Sequence, residues 1–246
     1  MSTTAAFLGL PLAPVFLAYV ALVGGAASAA LLRYLPLARA LIGIAVLAAW
    51  IGYAGATEWS GILGDPTQRP PGIVLLLTPV IAFLAIVLGR SAVGRYLATN
   101  LPLSLILALQ TFRVGVELTL SALHDAGLTS RLMTLPGGNI EILIGLSAPL
   151  IAWVATRGAA GRRIAFVWNV VGLLSLLNVA ARAVLTAPGP LNLIHADLPT
   201  VAMGMFPFSF IPGFMAPFAM GLHLLVFRAL RAGKRAASPG AALSFA

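Results

Sequence analysis

The sequence predicts an all-α polytopic membrane protein, a bundle of seven transmembrane helices with the N-terminus outside and the C-terminus inside. Three observations carry that prediction. The 246 residues are 60% apolar and only 9% charged, with a mean hydropathy of +1.02, whereas soluble domains carry about 25% charged residues. The apolar residues form continuous runs of about 17–25, the length that crosses a bilayer as helix, without the ten-residue alternation of a membrane barrel. The charges sort by sign between alternate connections.

The first run, Pro14 to Leu32, is read as a helix and not as a secretory signal, because no basic residue precedes it. Its patch Gly24, Gly25, Ala26, Ala27 and Ser28 lets a neighbouring helix, a second copy or a partner subunit approach closely. The second run is 40–56. The third, 73–89, follows Pro70-Pro71-Gly72 and is expected to bend near Pro79. The fourth is 101–123, with Pro102 in its tolerated first turn.

The fifth run, 140–156, has Asn139 as its N-cap, Glu141 in the first turn where the helix dipole favours a carboxylate, and Pro149 in its middle. The sixth, 164–187, is stopped by Pro188-Gly189-Pro190. The seventh, 208–230, opens irregularly through Pro207, Pro212 and Pro217. Residues 1–235 thus read as one helical domain, and 236–246, rich in Ala, Ser, Gly and Pro, as a disordered cytoplasmic tail. No internal repeat suggests an inverted-repeat transporter.

The charge distribution tests this wiring. With the N-terminus outside, eleven of the fifteen basic residues fall on the inner side: Arg33, Arg39, Arg90, Arg95, Arg157, Arg162, Arg163, Arg228, Arg231, Lys234 and Arg235. Glu58, Asp65, Asp125 and Asp197 fall in outer connections. The net charge of +9 is therefore read as an orientation signal. It is not read as a nucleic-acid footprint, because no binding motif accompanies it. The absence of cysteine removes disulfides, thiolate metal sites and cysteine nucleophiles. The three histidines lack metal-ligand spacing, and the single lysine in the tail cannot serve a buried Schiff base.

The chemistry concentrates in the fourth run. Gln110, Arg113, Glu117, Ser121 and His124 lie on one helical face. Charges at that depth cost about 2.5–3.5 kcal/mol each and rarely face lipid. Ser175, Asn178 and Arg182 make a second stripe on the sixth run. The expected arrangement brings the fourth, fifth and sixth helices around an outward-facing polar pocket. There Arg113 pairs with Glu117, and Arg182 with Glu141 or Glu117. The candidate ligand-binding residues are Gln110, Arg113, Glu117, Asn139, Glu141, Asn178 and Arg182. Two guanidinium forks suit a carboxylate, a phosphate or an anionic lipid headgroup. A purely structural ion-pair network is the plain rival.

Phe112-Arg113-Val-Gly-Val-Glu117, the run Leu132 to Pro149, and Trp168-Asn169-Val-Val-Gly172-Leu-Leu-Ser-Leu-Leu-Asn178 together resemble segments of a group of uncharacterised bacterial multi-pass membrane proteins. The likeness covers about the second half of the chain. It implies a bacterial source and an inner-membrane location, and no reaction.

The leading functional expectation is an integral membrane protein that binds a small polar or amphiphilic, anionic ligand in that pocket, as a transporter or receptor does. One alternative is an intramembrane enzyme acting on a lipid-linked substrate at the outer leaflet, with Glu117 or Glu141 as general acid or base. The other is an accessory subunit whose helices pack against partners. No catalytic residue, metal or cofactor is assigned.

Overall fold

The computed structural model describes residues 6–7, 9–65 and 67–236; the expectation of a disordered tail falls almost wholly outside them. A two-residue antiparallel ladder, β1 (Ala6–Phe7) against β2 (Leu10–Pro11), precedes an otherwise helical chain. Six helices are long and apolar enough to cross a membrane, the build of a multi-pass membrane protein. They are α1 (Leu12–Tyr34), α2 (Leu37–Trp59), α3 (Gly72–Arg90), α5 (Leu103–Asp125), α7 (Gly158–Thr186) and α8 (Ile211–Gly233, helical on to Ala236). Two shorter helices, α4 (Ala92–Asn100) and α6 (Glu141–Val154), complete the set among the described residues.

Burial follows the sequence pattern. On α1, Leu12, Phe16, Val20, Val23, Ala27 and Ala30 form one buried stripe, three or four residues apart. On α2 only Ala40, Leu47 and Ala54 are buried, while Leu41, Ile42 and Val46 are exposed. Similar large apolar side chains lie outward on the other spans, among them Leu22, Ile86, Leu146, Leu150, Val167 and Leu174. A surface this apolar suits hydrocarbon and would be costly in water. The small-residue patch of α1 is divided: Gly24 and Ala27 are buried, whereas Gly25 and Ala26 are exposed, as is the neighbouring Ala29. An aromatic row, Trp50, Phe214, Phe218 and Phe112, ties α2, α8 and α5 together with successive ring centroids 5.5 Å apart.

The departures from regular helix sit where the sequence carries proline or polar residues. α3 continues past Pro79 and loosens into a π-helical turn over Leu84–Arg90. Arg228 of α8 takes up carbonyls there, donating to Leu88 O and Ser91 O at 2.8 Å each. Ser91 caps α4, accepting from the Val93 amide at 3.0 Å. The sequence reading places no helix between its runs 73–89 and 101–123, and α4 fills that gap: with few large apolar residues, the segment lacks the hydrophobic run on which that reading relies. α5 is interrupted by a 3₁₀ turn at Gln110–Phe112, whose Phe112 carbonyl accepts from the Tyr19 hydroxyl. α8 begins with a π-helical turn, Ile211–Met215, whose Gly213 carbonyl accepts from Trp50 Nε1 at 2.8 Å.

α6 is the principal departure. Its 14 residues rise about 21 Å, short of the roughly 30 Å hydrocarbon core. The segment before it is not helical. It folds through two 3₁₀ turns, Arg131–Met133 and Leu135–Gly137, and carries the chain from the end of α5 to Glu141.

That segment is pinned to the connection between α7 and α8. Leu128 O accepts from the amides of Val201 and Ala202 at 3.1 and 3.0 Å. Asp197 accepts from the Ser130 hydroxyl at 2.9 Å and from the Arg131 amide at 3.2 Å. The Ser130 hydroxyl, helped by that amide, holds the Asp197 carboxyl below its ordinary range. A carboxylate lowered in the folded state stabilises above its unfolded pKa, and the contribution fades as pH falls through the folded value. Asp197→Asn is therefore expected to speed hydrogen exchange at the Arg131 amide at neutral pH, with the difference from the unsubstituted protein vanishing in acid.

Candidate functional site

Three buried polar side chains stand on one face of α5, because the spacing 110, 113, 117 follows the helical repeat. Gln110 is fully buried, and its Nε2 donates to Ala219 O of α8 at 3.2 Å. Arg113 is 2% exposed. Its Nε donates to Glu141 Oε2 at 2.6 Å, and its Nη2 donates to the same oxygen and to Gly172 O at 3.1 Å. Its Nη1 lies 2.9 Å from His223 Nε2. A guanidinium can only donate, so Nε2 of His223 is the acceptor and its Nδ1 carries the proton. Nδ1 then donates to Asn169 Oδ1 at 2.8 Å, while Asn169 Nδ2 donates to His223 O at 3.1 Å. One arginine thus ties together α5, α6, α7 and α8.

Glu117, one turn further along α5, is 1% exposed and belongs to a second set of bonds. Asn139 Nδ2 donates to Glu117 Oε2 at 2.5 Å and to Met133 O at 2.8 Å. Asn139 Oδ1 accepts from the Glu141 amide at 3.1 Å, but the N-cap of α6 is Ile140, one residue later than the sequence predicts, so the asparagine braces the turn just before the helix. Asn139 thereby links the Glu117 carboxylate to the backbone at Glu141. Three buried oxygens of this cluster have no hydrogen-bond partner: Gln110 Oε1, Glu117 Oε1 and Glu141 Oε1.

Two predicted pairings are corrected. Arg113 does not pair with Glu117; its ion pair is with Glu141 on α6. The i,i+4 order with arginine first is the weaker one, and Asn139 occupies Oε2 of Glu117. Arg182 reaches neither carboxylate. Its Nη1 donates to Leu132 O and Gly137 O at 3.2 and 2.8 Å, and its Nε to Asn178 Oδ1 at 3.3 Å. Gly172 is level with Arg113, and ten residues further along α7 place Arg182 about 15 Å away in height. Arg182 and Asn178 hold the segment before α6, and they form no clamp with Arg113.

The space also lies elsewhere than expected. A cavity of about 350 Å³ is walled by α3, α5, α7 and α8, with Phe112, Leu176, Met215 and Met220 among its apolar lining. Arg113, Asn139 and Glu141 stand on its wall, whereas Gln110, Glu117, Asn178 and Arg182 do not. Leu63, Asp65, Pro188, Pro190 and Thr200 line it from the connections. The gap between α5, α6 and α7 is closed by small residues. A Cβ on Gly145 would stand 2.9 Å from the backbone nitrogen of Val114, and one on Gly172 would stand 2.8 Å from Cε1 of His223. These contacts bring α6 against α5 and let His223 reach Arg113.

Asn169 and His223 are the participants that sequence reasoning missed. Asn169 lies three residues from Gly172 and six from Ser175 on α7, a small polar stripe facing the same side. His223 carries no partner within its own helix and is visible only as a polar residue in an apolar run.

The family described as a domain of unknown function, DUF8737, matches residues 70–231. No curated protein and no solved structure matches the chain.

Proposed function

The chain belongs to the DUF8737 family, and we propose from its own side chains that it is a small-molecule-binding membrane protein of the transporter or receptor kind. Its ligand is an amphiphile, lying in the cavity walled by α3, α5, α7 and α8 with its polar end at Arg113, Asn139 and Glu141. The observation that carries this reading is the cavity itself. Its 350 Å³ falls in the range of about 300–1,000 Å³ usual for small-molecule sites, which are mostly apolar with a few placed polar groups. Ionisable residues at membrane depth mark such sites by default.

We place the chain in a bacterial inner membrane, with seven crossings, the N-terminus outside and the C-terminus inside. The fifth crossing is then α6 continued by the irregular segment before it, in which Met133, Thr134 and Asn139 are buried and whose Leu132 and Gly137 carbonyls are taken up by Arg182; non-helical backbone at that depth requires such internal partners. Two contacts support a common basic side: the Arg39 guanidinium lies 4.4 Å from the Tyr96 ring centroid, and Arg228 bonds the carbonyls of Leu88 and Ser91. Under this orientation the cavity opens outward, through the connections that carry Asp65 and Thr200. Transport further requires an inward-open state that the ligand binds differently.

The exposed Gly25, Ala26 and Ala29 of α1 support a second reading, in which the protein also packs against a partner helix or a second copy.

The test is to block the cavity. Ala180→Phe adds a ring to the wall formed by α7. The unsubstituted protein is expected to co-purify an amphiphile detectable by mass spectrometry. The variant is expected to lose it while keeping its thermal stability. Equal amounts in both, or none in either, would contradict the reading.

A further inference from the structure

We propose that the polar end of the cavity recognises a protonated amine, so that the ligand is a cationic amphiphile and not an anionic one. The inference rests on the cavity reading above and adds the sign of its head group. It stands on a count of charges and of hydrogen-bond capacity.

The buried ionisable side chains among the described residues are Arg113, Glu117, Glu141 and His223. His223 accepts from Arg113 at Nε2, which makes it the uncharged tautomer. One guanidinium then faces two carboxylates, an excess of one negative charge when both are ionised. Arg182, the second arginine of the region, is committed to the carbonyls of Leu132 and Gly137.

Hydrogen-bond capacity points the same way. Four of the five N–H groups of Arg113 are directed at Glu141, Gly172 O and His223, which leaves little for an anion. The unmet capacity is for donors. Glu141 Oε1 has no partner, its side chain is 8% exposed, and the residue stands on the cavity wall. Gln110 Oε1 and Glu117 Oε1, behind that wall, are likewise unpartnered acceptors. A buried acceptor without a donor is costly, and a buried unpaired carboxylate oxygen more so.

An ammonium group supplies three donors and one positive charge together. A bare metal ion fits less well, because hard cations take six or more oxygen ligands and, apart from Asp65 and Thr200 in the connections, the rest of the cavity lining is apolar. The apolar walls fit the tail of an alkylamine.

The experiment measures equilibrium binding of octylamine, octanol and octanoate at neutral pH to the full chain in lipid nanodiscs, with empty discs subtracted. Octylamine is expected to bind about tenfold or more tighter than octanol, the scale of one hydrogen bond to a charged group, with octanoate weakest. Glu141→Gln is expected to abolish the preference for the amine. Should that variant fail to fold, Glu117→Gln preserves the acceptor that Asn139 uses and is expected to narrow the preference. Octanoate or octanol binding as tightly as octylamine would overturn the cationic head group while leaving the cavity reading intact. So would an amine preference unchanged in both glutamine variants. Failure of all three probes to bind the unsubstituted protein would overturn the cavity reading, and this inference with it.

Discussion

Replacing Arg113 with alanine is expected to destabilise the folded protein by about 3–5 kcal/mol, the usual cost of removing one partner from a buried ion pair. The substitution strips Glu141 Oε2 of both its donors, leaves Gly172 O without its side-chain donor and removes the donor to His223 Nε2. Four helices meet at that guanidinium, so no single helix can shift to compensate. The measurement is unfolding of the purified protein in mixed micelles, followed by circular dichroism. Arg182→Ala is expected to cost much less. Its guanidinium is half-buried and bonds carbonyls in a connection, where water can substitute.

Gly145→Val is expected to do comparable damage without removing any charged group. The contact at 2.9 Å is with the backbone of Val114, and backbone cannot rotate away as a side chain would. Overpacking a close contact costs about 1–3 kcal/mol. Here the relief is a displacement of α6 from α5, which draws Glu141 away from Arg113 and adds the cost of the weakened pair. The variant should unfold at lower temperature and lose co-purified ligand. Ala180→Phe should lose ligand alone, because its new ring enters space that is open. The contrast separates a site disrupted by misplaced helices from one that is merely filled.

The extent to which these features are legible in the sequence depends on how local their causes are. The six spans could be read because each is a long apolar run bounded by prolines, glycines or basic residues. The concentration of polar groups on α5 and at the start of α6 could be read from helical spacing and from the cost of charge at depth. Arg113, Asn139 and Glu141 do stand at the cavity. The partner of Arg113 could not be read, because Glu141 reaches it only when α6 packs tightly on α5 through Gly145, and the spacing within α5 offers Glu117 first. The role of Arg182 depends on the irregular path of residues 126–140, which turns two carbonyls toward it; no propensity predicts that path. The cavity could not be read either. It lies between helices distant in sequence, and its walls are apolar residues that any core would use. α4 escaped because a nine-residue helix with few large apolar residues offers no apolar run of membrane-crossing length.

The central claim is that Arg113 is bound across the bundle to Glu141 and not along its own helix to Glu117. Double-mutant cycles on unfolding free energy test it most directly. Residues in contact show coupling of about 0.5–3 kcal/mol. The account predicts that the Arg113→Ala/Glu141→Ala cycle lies at the upper end of that range and clearly exceeds the Arg113→Ala/Glu117→Ala cycle. Additive losses at Arg113 and Glu141, or stronger coupling to Glu117, would contradict it.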